Sequence, residues 1–172
     1  MTALEHLWSG WRARYIVGGE GRRPDDGTPG SVFTRLLESG LPDEETNIVH
    51  RGELAFAVMN AYPYAVGHLL VLPYAEVPDL TDLDPATTAE LWATVTDAVR
   101  AVRAAIHPLG VNVGVNLGRA AGGSVPEHLH VHVVPRWPGD SNFMATVAGA
   151  TTLPEALPVT ARKIRAAWPP LD

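Results

Sequence analysis

The stretch "GRAAGGSVPEHLHVHVVPRW", residues 118–137, sets three of the chain's seven histidines, His128, His130 and His132, in alternation with Leu129, Val131 and Val133. Alternation of period two marks a β-strand with one buried face, because successive side chains point to opposite sides. The pattern predicts a strand over "HLHVHVVPRW" whose apolar face enters the core. Its other face then presents three imidazoles about 7 Å apart. A glycine cluster, Gly118, Gly122 and Gly123, leads into the strand and leaves backbone N–H groups unhindered.

Three chemistries compete for such a face. Zinc needs its nitrogen ligands about 2.0–2.1 Å from one centre, whereas the outer two histidines of a regular strand stand roughly 13 Å apart. Outside the triad no H-E-x-x-H or H-x-x-x-H motif supplies a partner, so no metal is expected. A solvated, incidentally histidine-rich face is the plain alternative, but histidine is not enriched enough in strands to favour it. Phosphate chemistry uses everything present. Imidazole titrates near neutrality and can attack phosphorus to form a covalent intermediate. The glycine-loop N–H groups can cradle phosphate oxygens. That loop leads into a strand and lacks G-x-x-x-x-G-K-[ST], so it is not a P-loop.

The rest of the chain bounds the reading. Its 172 residues suit one domain, and 46% hydrophobic against 19% charged residues is a globular balance. With no cysteine, disulfides, thiolate metal sites and cysteine nucleophiles are all excluded. A formal net charge of −6 argues against a nonspecific nucleic-acid binder. Twelve of the thirteen basic residues are arginine, Lys163 being the exception, so an anionic ligand would be held by local arginines and backbone amides. No long apolar run or basic leader is visible, which predicts a cytoplasmic protein without a membrane span.

Along the chain, Leu4, Leu7, Trp8, Trp11 and Tyr15 form one helical stripe, and residues 18–31, rich in Gly, Pro and Asp, read as a mobile loop. "VFTRLLESG" is a short amphipathic piece. "ELAFAVMN" and "GHLLVLPY" predict a β-hairpin around "AYPYAVG". "DPATTAELWATVTDAVRAVRAAIHPLG" has an acidic start, Pro85 in its first turn, apolar residues at helical spacing and a Pro-Gly stop, and is the best-marked helix. "VNVGVNLG" alternates as a strand. "LPEALPVTARKIRAAW" predicts a terminal helix whose start Pro158 breaks or delays. Helices flanking an antiparallel sheet make an α+β fold.

These motifs resemble the histidine triad (HIT) superfamily. His128-Leu-His130-Val-His132-Val-Val follows its His-φ-His-φ-His-φ-φ signature, and Asn60, Pro63, Gly67 and His68 follow its N-x-x-P-x-x-x-G-H turn. The resemblance implies the α+β HIT fold over a core of about 45–137, within one domain spanning 1–172. An N-terminal helix and loop occupy 1–44, and a helical extension 138–172. Likeness over nearly the whole chain, through "PRWPGDSNF", points to the bacterial diadenosine tetraphosphate phosphorylases. It implies transfer of a nucleotidyl group from diadenosine tetraphosphate to inorganic phosphate, giving ATP and ADP. No cofactor is required, and a divalent cation would arrive only with the substrate. A homodimer or homotetramer is implied. Many relatives carry a cysteine pair that can bind zinc; "PGSVFTRLL" has none, which speaks against structural zinc here.

Residue by residue, His130 would attack the α-phosphorus, with His128 and His132 orienting it and bonding the phosphate. His68 matches the family's fourth, supporting histidine. Asn60 would hold the ribose hydroxyls, and Asn116, Gly123 and Ser124 the polyphosphate. Glu127 reads either as positioning a leaving group or acceptor, or as a solvated loop carboxylate. Trp137 reads as stacking on adenine, from its own or a partner chain, or as an interface aromatic. Arg119 and Arg136 are the nearest candidates for an acceptor phosphate. The alternatives are a HIT hydrolase of dinucleoside polyphosphates or nucleoside phosphoramidates, which uses water, and a non-catalytic nucleotide-binding signalling module. An intact triad argues against the second, since a pure binder needs no nucleophile.

Overall fold

The computed structural model describes residues 29–140 and 155–170. The stripe at Leu4–Tyr15, the loop over 18–28 and the segment 141–154 lie outside the described residues. Five strands form one antiparallel sheet: β1 (Ile48–Arg51), β2 (Ala55–Met59), β3 (Leu69–Pro73), β4 (Gly110–Val115) and β5 (Val131–Arg136), in the order β1-β2-β3-β5-β4. Short helices α1 (Val32–Leu37) and α2 (Asp43–Thr46) precede the sheet, α3 (Pro85–Ile106) connects β3 to β4, and α4 (Leu157–Ala166) follows β5. The α+β architecture is the expected one. No described helix is long and apolar enough to cross a membrane.

Both faces of the sheet are covered, unequally. Ala55, Ala57, Met59, Leu69, Val71, Leu129, Val131 and Val133 pack with Leu91, Val95, Ala98 and Val102 of α3 and with Ala161 and Ile164 of α4. On the other face Phe56, Val58, Leu70 and Leu72 are covered by Phe33, Leu36 and Leu37 of α1 and by Tyr74. His132 lies opposite Leu70 in register and so belongs to this second face. Burying Leu129, Val131 and Val133 against α3 therefore turns the imidazoles toward the side that α1 and Tyr74 cover.

The best-marked helix forms as expected. Asp84 caps α3, accepting from the N–H groups of Ala86 at 2.8 Å and Thr87 at 3.0 Å, with Pro85 in the first turn. Its stop differs in detail: His107 takes the left-handed conformation, φ 48°, and bonds back to the Arg103 carbonyl before Pro108. The hairpin of β2 and β3 also forms. Pro158 sits in the first turn of α4, which begins at Leu157.

Two readings are corrected, and one strand is added. The strand of four residues, β1, was not visible in the sequence, being short and bounded by polar residues. The end of the predicted loop, residues 29–31, leads into α1, where Ser31 caps the helix and is buried. And β5 begins at Val131, not His128. The last β3–β5 pair is Val71 with Val131; beyond it β3 ends at Pro73, which has no N–H to extend a ladder. The Leu129 N–H instead bonds the Val77 carbonyl at 2.7 Å. The triad thus straddles the point where the chain joins the sheet, with only His132 inside the strand.

Candidate active site

Hydrogen bonds to backbone groups fix which nitrogen of each imidazole carries the proton. A carbonyl oxygen only accepts, so His130 Nδ1, 2.8 Å from the His128 carbonyl, must bear the hydrogen. In the neutral ring the lone pair of His130 is then on Nε2. His128 Nε2 lies 2.9 Å from the Pro73 carbonyl and donates to it. The Tyr64 N–H donates to His68 Nδ1 at 3.1 Å, leaving the His68 proton on Nε2, which meets His132 Nδ1 at 3.0 Å. That places the His132 proton on Nε2, 3.4 Å from the Asn116 amide nitrogen; with that amide turned over, Oδ1 takes this place and accepts the proton.

The rings are close: the centroids of His130 and His132 are 5.0 Å apart and those of His68 and His132 5.2 Å. His68 and His128 are fully buried and His130 nearly so. Burial, then repulsion from His132 and His130, pushes the His68 pKa down to about 3. Burial and His130 push His132 down to about 4. Burial also lowers His130, opposed by its bond to the His128 carbonyl and by the charge of Glu127. At neutral pH His130 therefore holds a free lone pair, the state a nucleophile needs.

Other expected residues fall into two groups. Asn60 and Asn116 reach the histidines, and Gly123 lies behind Asn116. Asn60 accepts from the Tyr62 N–H through Oδ1 at 2.9 Å and brings its amide nitrogen to 3.4 Å from His68 Nδ1. Gly123 abuts Asn116, a Cβ there standing 3.6 Å from the Asn116 carbonyl oxygen. Ser124, Glu127 and Arg119 are exposed on the connecting loop. Arg136 and Trp137 do not join them: four and five residues past His132, they lie roughly 13 and 16 Å along the strand direction. The Arg136 guanidinium is also committed to Asp140, at 2.6 and 2.8 Å, and to Asn112 at 2.9 Å. Of the two arginines proposed for an acceptor phosphate, this leaves Arg119. Trp137 follows the end of β5 that points away from His132.

Sequence reasoning missed three residues. Phe33 of α1 packs against His128 and His130, with centroids 5.6 and 5.7 Å away. Tyr64 covers His68 and His132, at 4.7 and 6.0 Å. Ser31 reaches His128 Nδ1 with Oγ at 2.7 Å. Ser31 alone left a signal, a serine directly before an apolar run, as a helix cap would.

The matches to known proteins agree with this geometry. The HIT domain family matches residues 42–139. Over 167 residues the chain is 43% identical to the AP-4-A phosphorylase of Mycobacterium tuberculosis, covering 96% of this chain and 85% of that protein. It is 34% identical over 95 residues to a bis(5'-nucleosyl)-tetraphosphatase (asymmetrical) of Schizosaccharomyces pombe, covering 55% of this chain and 52% of that one. Among solved structures, a zinc-bound histidine triad family protein from Mycobacterium smegmatis superposes with a TM-score of 0.65 at 31% identity, over 80% of this chain and 92% of that chain. This chain lacks cysteine, and among the described residues no three His, Asp or Glu side chains converge on one point. With signature, sheet order, paired imidazoles and family match in agreement, the chain belongs to the histidine triad (HIT) family.

Proposed function

We propose that the chain is a nucleotidyltransferase that splits diadenosine tetraphosphate with inorganic phosphate into ATP and ADP. The observation that carries this reading is the bond from His130 Nδ1 to the His128 carbonyl, which leaves Nε2 as a buried, unprotonated nitrogen. In the first step Nε2 attacks one α-phosphorus, the bond from that phosphorus to the bridging oxygen breaks, and ATP leaves. In the second, a phosphate oxygen attacks the adenylyl group, the Nε2–phosphorus bond breaks, and ADP leaves. His132 Nε2–H and the amides around Gly123 donate to phosphate oxygens as charge builds there. His68 holds the tautomer of His132.

Phosphate is favoured over water as acceptor by the near full-length similarity to the Mycobacterium tuberculosis AP-4-A phosphorylase. Admitting a dianion next to the adenylyl-histidine needs offsetting donors; exposed Arg119 and the loop amides are the nearest. No metal takes part; a divalent cation comes with the nucleotide. The substrate and products fit a cytoplasmic location. The edge strand β4, with Val113 turned outward, and exposed Trp92 on α3 support a homodimer or homotetramer.

The test is to incubate the protein with diadenosine tetraphosphate at rising phosphate and separate the products. Equimolar ATP and ADP, at a rate saturating in phosphate, is the expected result. ATP with AMP at a rate indifferent to phosphate would make the chain a hydrolase, like the Schizosaccharomyces pombe relative, and leave the covalent first step standing.

A further inference from the structure

The segment carrying the nucleophile is not held by the sheet. No ladder pairs residues 128–130. The His128 carbonyl that orients His130 is held through its own peptide, whose Leu129 N–H bonds Val77, and through the His128 ring, gripped on one side by the Pro73 carbonyl. The other side of that ring is gripped from a distant part of the chain. Ser31, 97 residues away and 1% exposed, places Oγ 2.7 Å from His128 Nδ1. Phe33, two residues on, lies edge-on against the same ring.

The donor and acceptor roles leave no slack. The Pro73 carbonyl takes the proton of His128 Nε2, so in the neutral ring Nδ1 accepts and the Ser31 hydroxyl donates. The Ser31 oxygen meanwhile accepts the Thr34 N–H at 3.1 Å, capping α1. Glu76 receives the Ser31 N–H at 2.8 Å and also the Thr34 hydroxyl, so its carboxylate holds both ends of the cap. Those bonds hold the Glu76 carboxyl below its usual pKa, so it is charged at neutral pH. Glu76 itself is exposed and lies just beyond β3, the strand whose Pro73 grips the other side of His128.

Taking His130 as the nucleophile, as proposed above, we propose that Ser31 and Glu76 are positioning residues for it. Ser31 clamps the His128 ring and Glu76 clamps Ser31, so that the His128 carbonyl keeps the proton of His130 on Nδ1 and aims Nε2 at phosphorus. Neither residue touches substrate. Loosening the clamp lets the nucleophile swing or change tautomer, which slows the covalent step without weakening nucleotide binding. A displacement of about 1 Å at a reacting group can cost on the order of 100-fold in rate.

The experiment uses the full chain with diadenosine tetraphosphate. It compares wild type, Ser31→Ala, Glu76→Ala, Glu76→Gln and His130→Ala for kcat, KM, the rapid-quench rate of protein-bound nucleotide, and histidine 15N shifts. Ser31→Ala and Glu76→Ala are expected to lower kcat and the covalent rate roughly 10- to 100-fold with KM within about twofold. The 15N shifts of His130 should move from a single tautomer toward a mixture. Glu76→Gln keeps an acceptor oxygen and is expected to recover most of the rate. Should Ser31→Ala fail to fold, the exposed Glu76 variants decide alone. Wild-type covalent rates in Glu76→Ala, or a change in KM only, would overturn the clamp while His130→Ala, if inactive, keeps the nucleophile. Turnover by His130→Ala would overturn the nucleophile and the clamp together.

Discussion

At His130 a single backbone bond decides the chemistry. An imidazole with free choice of tautomer would present a lone pair from Nε2 only part of the time, and a protonated one never. The His128 carbonyl and burial remove both alternatives. His130→Ala is therefore expected to abolish protein-bound nucleotide and lower turnover by at least about a thousandfold. Nucleotide affinity should stay within about tenfold of wild type. Rapid-quench labelling and calorimetric titration measure the two, and near-normal turnover would refute the covalent route. Gly123 tests the loop. Its φ lies in ordinary territory and a Cβ would meet nothing closer than 3.6 Å, so the fold does not need glycine there. If the bare backbone serves phosphate, Gly123→Val should weaken nucleotide binding roughly tenfold, about 1.4 kcal/mol, at an unchanged melting temperature. Loss of stability with intact affinity would make the loop structural.

Among the elements, the turn between β2 and β3 does the most for the site. It brings Asn60, Tyr64 and His68 against the triad, and Gly67 is its hinge. Gly67 has φ +77°, and a Cβ there would stand 2.4 Å from Ile106 Cδ1 and 3.3 Å from Pro135 Cγ. The side chain of Ile106 can yield, but the left-handed backbone and the proline cannot. Gly67→Ala is expected to cost about 2 kcal/mol of stability and to lower activity by displacing His68. Chemical denaturation and kcat report the two effects, and an unchanged unfolding midpoint would contradict the packing argument. The same element shows how a family turn acquires meaning: the glycine is needed for backbone shape, and His68 directly after it gains its place from that shape.

For the whole molecule, the buried imidazoles link stability to pH. His68, at about 3, and His132, at about 4, both sit below the usual histidine value near 6.5, and burial lowers His50 as well. Above pH 6.5 neither the folded nor the unfolded chain protonates these groups, and stability is flat. Between 6.5 and about 4 the unfolded chain binds protons that the folded one refuses. Stability then falls as pH falls, by at most about 1.4 kcal/mol per pH unit for each histidine. His132 is half-exposed and contributes less because solvent screens it. The melting temperature should drop steadily from about pH 6.5 to pH 5, and His68→Gln should flatten the slope. An equal melting temperature at pH 7 and pH 5 would contradict burial of neutral imidazoles.

Local pattern was enough for much of this protein. The alternation of His128–Val133 settled which side chains enter the core, since a strand has only two faces. Asp84-Pro85 with helical apolar spacing settled α3, because capping and periodicity are properties of neighbours in the chain. Asn60 and the four histidines stand within short motifs, whereas Asn116 and Gly123 were singled out by the family resemblance. Tertiary structure decided what depends on distance across the fold. It started β5 at Val131, because Pro73 ends the ladder of a strand some 60 residues earlier. It sent Arg136 and Trp137 to the far end of β5 and bound Arg136 to Asp140 and Asn112. It brought Ser31 and Phe33 to His128 and Glu76 to Ser31, contacts spanning up to 97 residues that no local period encodes. The chemistry of the site is written in one short stretch; its orientation is set by hydrogen bonds that exist only once β3, β5 and α1 have packed.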